Sequence, residues 1–392
     1  MRTATTFLLT AALSFATAVS TVQACPFCEA PSLTLSEQLA QADAAVLVQW
    51  VEGTKPTDKL AGSTVYEVKQ IVRNHKDTVK VGDRITLRRY RASKVGDLFM
   101  LMGSKGVSID WGSPLEVTET GFNYISQAPS PEVPTTKRLE YFVRFLEYPD
   151  QMIGTDAYGE FANAPYKDIT ALADKLPTEK IRKWVTSKDT PATRLGLYGL
   201  MIGLCGNEED AKAMAAKISE KTEDFRLGVD GLMSGYLLLT GEKGLDLIDK
   251  TKLSNRDVPF SETYAAMQAL RFMWRYADGR IEKERLRQSM RILLDRPELT
   301  DLVIADLARW KDWSVQDRLM SIYGKDPYNI PSIKRAVVRY LLVCSKDVPE
   351  DATAGENSEL PEHVTKAREH VATLRKQDAK TVNEAERFFF LK

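Results

Sequence analysis

The stretch from Arg194 to Gly206, RLGLYGLMIGLCG, is apolar on nearly every face of a helix, and the pattern returns 32 residues later as RLGVDGLMSGYLL from Arg226. Gly196, Gly199 and Gly203 recur as Gly228, Gly231 and Gly235, while Leu195, Leu200 and Met201 recur as Leu227, Leu232 and Met233. A period in the thirties predicts stacked helical hairpins. All-round apolarity predicts that each copy is a central helix covered by neighbours rather than a surface helix with one apolar stripe. Three interior glycines per copy cost roughly 1 kcal/mol each against alanine, so close approach of backbones across the hairpin is the expected offset. The run from Leu195 to Cys205 is too short to span a bilayer, and Asp230 interrupts the second copy.

Helical periodicity extends to both sides of these copies. Leu139, Phe142, Val143 and Leu146 form a stripe, followed by segments Met152 to Ala162, Ile169 to Leu176 and Thr178 to Val185, punctuated by Pro149, Pro165 and Pro177. Weaker copies follow at Tyr264 to Tyr276, Leu302 to Trp310 and Ile333 to Cys344. Ser345 to Pro361 reads as an acidic loop, and a last helix from Glu362 has the one-sided charge expected of a terminal cap. Over residues 135–392 this period and packing pattern resembles HEAT-like α-solenoids.

Upstream of the prolyl boundary Pro129 to Pro134 the period changes to two. After a short helix over Leu33 to Ala42, runs at Ala45–Val51, Ser63–Val72, Arg84–Leu87, Leu98–Leu101 and Leu115–Thr118 read as strands separated by Gly, Asp, Lys and Ser turns. Five such runs predict a small closed or half-open β barrel over residues 25–134. The cysteine pair Cys25/Cys28, Ala42-Asp43 ending the helix, Tyr66-Glu67-Val68, the Gly82-Asp83 turn into Ile85 and the Gly96-Asp97 turn into Phe99-Met100-Leu101 together resemble the netrin-like OB barrel, the family that includes the tissue inhibitors of metalloproteinases. That resemblance implies an N-terminal Cys25 that clamps the zinc of a target protease. The family carries CxC and several disulfides where this chain has Cys25-Pro26-Phe27-Cys28 and few cysteines.

Composition narrows the function. The 392 residues are 43% hydrophobic and 28% charged, an ordinary globular mix with room for two domains. Lys+Arg and Asp+Glu are equal at 54 each, so no summed field draws the chain to nucleic acid. The run Arg84, Arg88, Arg89, Arg91, Lys94 is split by strand alternation, with Arg84, Arg88 and Tyr90 on one face and Arg89 and Arg91 on the other, and reads as an edge or rim rather than a phosphate-binding face. Arg2, the apolar stretch Phe7 to Val22 and Val22-Gln23-Ala24 predict a secretory signal over residues 1–24, cleaved before Cys25 and directing the chain to the periplasm or outside the cell. The same sequence is a partial lipobox, so Cys25 is also a lipidation candidate that would anchor the chain to the envelope.

Candidate chemistry is sparse. Cys25 and Cys28 are disulfide or redox candidates, and Cys25 is a weak metal candidate; Cys205 and Cys344 fall in apolar helices and read as inert core thiols. His363 and His370 share a helix face two turns apart, near 10 Å, too far to bind one ion, and His75 sits in a turn. No nucleophile elbow, phosphate loop or dinucleotide fingerprint is present. Phe272, Trp274, Tyr276 and Trp310, Trp313 read mostly as core. Phe388-Phe389-Phe390 is a candidate partner-binding peptide. The resulting expectation is an exported, non-enzymatic binding or scaffolding protein with protein partners, no cofactor, no nucleic acid and no transmembrane segment after the signal. The alternatives are a metalloprotease-inhibitor-like module using Cys25 or a thiol redox protein using Cys25/Cys28.

Overall fold

The computed structural model describes residues 25–27, 33–74, 78–221, 225–277, 279–348 and 360–387. Helix α1 (Leu35–Gln41) leads into strands β1 (Ala44–Thr54), β2 (Ser63–Arg73), β3 (Arg84–Leu87), β4 (Leu98–Lys105), β5 (Ile109–Trp111) and β6 (Leu115–Glu116). Then come α2 (Glu119–Gln127), α3 (Thr135–Phe142), α4 (Gln151–Ala162), α5 (Tyr166–Thr170), α6 (Thr178–Thr186), α7 (Leu195–Cys205), α8 (Glu208–Ser219), α9 (Val229–Thr240) and α10 (Glu242–Ile248). The chain continues through α11 (Phe260–Tyr276), α12 (Lys283–Ile292), α13 (Thr300–Arg309), α14 (Gln316–Ile322), α15 (Pro331–Cys344), α16 (Glu362–Gln377) and α17 (Ala379–Arg387).

The sheet is antiparallel in the order β3-β2-β1-β4-β5, with β6 also on β4. β1 reads as a continuous apolar run because both of its faces are covered. Val46 and Val48 join Tyr66, Val68, Ile85, Leu87, Phe99 and Leu101 in one core, while Ala45, Leu47 and Met100 join the core of the helices. Register shifts at Ala45/Val46, Leu47/Val48 and Trp50/Glu52 bend the strand.

The predicted barrel does not close. β3 and β5 are the ends of an open sheet, and the space between them is bridged by side chains instead of a ladder. The Arg89 guanidinium donates to the carbonyls of Trp111, at 3.0 Å, and of Gly112, and Arg91 pairs with Glu116 at 3.1 Å. The reason is local. After Leu87 the backbone turns onto Thr64, whose hydroxyl donates to the Arg89 carbonyl (2.9 Å) and accepts from the Arg91 amide (2.8 Å), so β3 stops after four residues. Strand alternation therefore does not govern residues 88–91, and two members of the basic run, Arg89 and Arg91, reach from the β3 side to the end of β5 and to β6.

In the helices, Gly196 to Gly203 and the middle of α9 are buried all round, as the pattern predicts. The close approach runs between the successive copies, α7 on α9, with α8 packed alongside, and not across one hairpin as expected. A Cβ at Gly199 would lie 2.6 Å from the Leu232 Cα, and one at Gly235 2.6 Å from the Gly199 carbonyl carbon. Gly228 does a different job from its counterpart Gly196: it caps α9 with φ +74°, a left-handed conformation that suits glycine. α9 packs on α11, and α13 on α15.

Buried carboxylates tie these layers together. Glu262 accepts from Arg226 (2.5 Å) and Lys252 (2.6 Å), Asp306 pairs with Arg271 (2.7 Å), Asp312 with Arg291 (2.6 Å) and Asp210 with Arg182 (2.5 Å). Trp274 stacks on Trp310 at 4.3 Å. Although α2 precedes the prolyl boundary, its Phe122, Tyr124 and Ile125 are in the helical core. The segment from Glu362, expected to be one helix, forms two, α16 and α17, both packed on α15. Among the described residues no helix is long and apolar enough to cross a membrane.

Candidate functional site

The first described residues are docked into the helices. Cys25 is 3% exposed and disulfide-bonded, and its backbone N–H donates to the Ala162 carbonyl at the end of α4 (3.2 Å). Cys28, its predicted partner, lies outside the described residues. Phe27 packs its ring 5.1 Å from Phe272 of α11, which meets Tyr166 (5.0 Å) and Tyr276 (5.4 Å). The Phe27 carbonyl lies over Gly196, where a Cβ would come within 2.9 Å. A segment of three residues thus bears on α4, α7 and α11 at once, because aromatic rings supply large contact area and glycine lets a backbone approach.

Between the sheet and the helices, Asp156 of α4 accepts from the Leu35 amide at the start of α1 and from the Tyr124 hydroxyl, both at 2.6 Å. Thr34 and Glu37 complete a capping box on the same helix, and Glu37 also accepts from Asn163 (3.1 Å). Burial pushes the Asp156 carboxyl up to about 6, against the two hydrogen bonds, and neighbouring Glu160 and Glu37 add to the rise. A carboxyl raised in the fold stabilises the protein fully below its unfolded value, and that contribution is lost as pH rises through about 6. Asp156→Asn keeps an acceptor for Leu35 and carries no charge, so its stability gain over wild type, about 1–3 kcal/mol at pH 7.5, shrinks toward zero by pH 4. Thermal melts of both proteins across that range check it; a gain independent of pH contradicts it.

A cavity of about 750 Å³ lies elsewhere, between α13 and α15. Leu302, Ala305 and Ala308 of α13 face Ala336, Tyr340 and Val343 of α15, and Arg309, Arg335 and Arg339 stand at its edges. The alanines open the gap, since two helices that touch elsewhere leave a trough where their facing side chains are small. Arg309 is paired with Asp306 (3.0 Å) and Arg335 with Glu384 (3.6 Å), whereas Arg339 has no acidic partner among the described residues. Leu302 is 39% exposed at the mouth. Such a trough, apolar on its walls and cationic at its rim, holds an apolar side chain or a helix face by desolvation and orients it by charge.

No protein-family model matches the chain, and no curated protein matches it either.

The remaining candidates are dispersed. The Cys344 thiol is buried and pushed up to about 12 by desolvation, and burial also raises the half-buried Cys205 thiol. His363 stacks on Trp313 and faces the Asp347 carbonyl (3.2 Å), and His370 faces Asp317 (3.4 Å), so each histidine has its own acidic neighbour. No group of metal-ligating side chains occurs among the described residues. Phe272 and Trp310 are core, as their spacing implies. His75, Phe388, Phe389 and Phe390 lie outside the described residues. Sequence reasoning treated α13 and α15 as packing copies and missed the groove; the alanines at Ala305, Ala308 and Ala336 were the available signal.

Proposed function

We propose that this chain is an exported, non-enzymatic binding or scaffolding protein whose ligand face is the α13/α15 groove and whose ligand is a segment of another protein. The observation that carries the reading is the apolar trough with a cationic rim on a helical array that resembles a HEAT-like solenoid, a class whose long surfaces bind proteins. In this reading the open sheet is a netrin-like half barrel used as a structural partner of α2 and α4. The inhibitor and redox alternatives both need Cys25 reachable, and its burial, its disulfide and its hydrogen bond to Ala162 weigh for a structural role. Export predicts that protein taken from the envelope or medium has a mass beginning at Cys25, whereas a mass that retains residues 1–24 contradicts it.

The binding reading is tested with Leu302→Glu/Arg339→Glu, two exposed positions whose replacement leaves the melting temperature within a few degrees. Proteins captured by the wild type should fall at least tenfold with this variant and stay unchanged with Leu60→Glu on the sheet domain, where Leu60 is 70% exposed. Equal capture by all three proteins refutes the groove as the ligand face.

A further inference from the structure

The groove and the surface beside it are polarised along the helix axes. α11, α13 and α15 run side by side in one direction. Arg271 pairs with Asp306 (2.7 Å), and further along both helices Trp274 stacks on Trp310 (4.3 Å). Tyr340, in the second half of α15, donates to the carbonyl of Asp312, just past the end of α13. Where these helices begin, their open side is apolar: Phe260 is 51% exposed and stacks on Tyr264 at 5.9 Å, and Leu302 is 39% exposed. Toward their ends the same side is cationic. At about 100° per residue, positions 264, 268, 271 and 275 of α11 share one stripe, as do 302, 305 and 309 of α13. Asp306 joins the two stripes, since it pairs with both Arg271 and Arg309. Arg275 and Arg339 are exposed, and neither has an acidic partner among the described residues. Arg309, Arg335 and Arg339 line the groove against a single carboxylate, Asp301, which stands at the apolar end and accepts from the Leu302 amide (2.9 Å).

We propose that the segment this groove takes is acidic, with large apolar side chains seated beside Leu302 and Ala336 and carboxylates over Arg309 and Arg339. The proposal rests on the reading of the groove as a ligand face and adds the chemistry and the direction of the segment. Desolvation of the apolar walls holds a segment of either charge, so the arginines decide between them. A guanidinium presents paired N–H donors that match a carboxylate, and Arg339 has those donors open to an incoming group. A basic segment would set like charges together at the same place, which selects against it. Length sets the scale: α15 rises about 16 Å from Ser332 to Val343, the reach of about five extended residues or three helical turns. The apolar and acidic groups therefore lie within one short peptide.

The test is selection from a random library of peptides of about twelve residues displayed on phage, run in parallel against the full chain and against its Arg339→Glu variant. The wild type should enrich sequences that combine Phe, Leu or Trp with Asp or Glu, and these should bind Leu302→Glu/Arg339→Glu at least about tenfold more weakly. Selection on Arg339→Glu should replace the acidic position by Lys or Arg, an exchange that a folding defect would not produce. The affinity of a synthetic peptide carrying the wild-type consensus should fall as salt is raised. Groove-dependent sequences with no acidic enrichment, or the same sequences from both selections, overturn the acidic segment and leave the ligand-face reading standing. Enriched sequences that bind the groove variant as well as they bind the wild type overturn both. A selection that enriches nothing also overturns the acidic segment, and binding of palmitate that Leu302→Glu/Arg339→Glu loses would then assign the groove to an anionic lipid.

Discussion

Gly199→Ala and Gly235→Ala are each expected to destabilise the protein by at least about 2–4 kcal/mol, although alanine is the better helix former by about 1 kcal/mol. Propensity and packing predict opposite signs here, which makes the experiment decisive. A Cβ at Gly199 would sit 2.6 Å from the Leu232 Cα and 2.8 Å from its amide nitrogen, and these are backbone atoms of a helix packed on its far side by α11. They cannot yield as the end of a flexible side chain would, so α7 and α9 must separate, and dispersion contacts along both helices are lost. Against a total stability of about 5–15 kcal/mol, this is a large share. Chemical denaturation of the two variants beside Ala213→Val, an exposed position on α8, checks it. Unchanged or raised stability in either glycine variant contradicts the backbone-contact account.

Glu262→Ala should cost about 3–5 kcal/mol, because it strands charges where water does not reach. Glu262 is 2% exposed and accepts from Arg226 and Lys252, whose side chains are 17% and 5% exposed. Burial pushes its carboxyl up, and the hydrogen bonds from Arg226 and Lys252 outweigh that and hold it below the ordinary carboxylate range. A depressed carboxyl stabilises the fold above its unfolded value, and the contribution disappears as pH falls through the lower folded value; wild type should therefore lose stability below about pH 4 in a way Glu262→Ala does not. Adding Lys252→Met to Glu262→Met should recover much of the loss, since the stranded ammonium is then gone. Stability data on the two single variants and the double variant give the coupling directly. Additive losses mean that the triad does not act as a unit.

Much of this architecture is legible along the chain where one local rule decides the outcome. The paired glycine copies announce α7 and α9 because no other arrangement accommodates so many glycines in an apolar helix. β1 follows from its continuous apolar run, and β2 to β4 from short β-branched or aromatic runs set off by turns. What could not be read depends on contacts distant in sequence. β5 has three residues, Ile109 to Trp111, too few to show a period. The barrel stays open because Thr64 captures the backbone at Arg89 and Arg91, a side-chain event that strand patterning does not register. The hairpin expectation for the glycines failed because a period fixes which helices are equivalent without fixing which of them touch. The site divides in the same way. Cys25 and Cys28 stand out by type, yet nothing in their spacing foretells that Phe27 packs on Phe272, some 245 residues away. The groove is made by small residues on two helices, and alanine in a helix is too common to attract notice.

The central claim, that the α13/α15 trough is the face this protein uses, is tested most directly by placing a photo-cross-linking residue at Leu302 in the protein produced in its own cells. The account predicts cross-links from Leu302 into a partner protein that are absent when the same residue is placed at Leu60. Cross-links of equal yield from both positions, or none from Leu302, would contradict it.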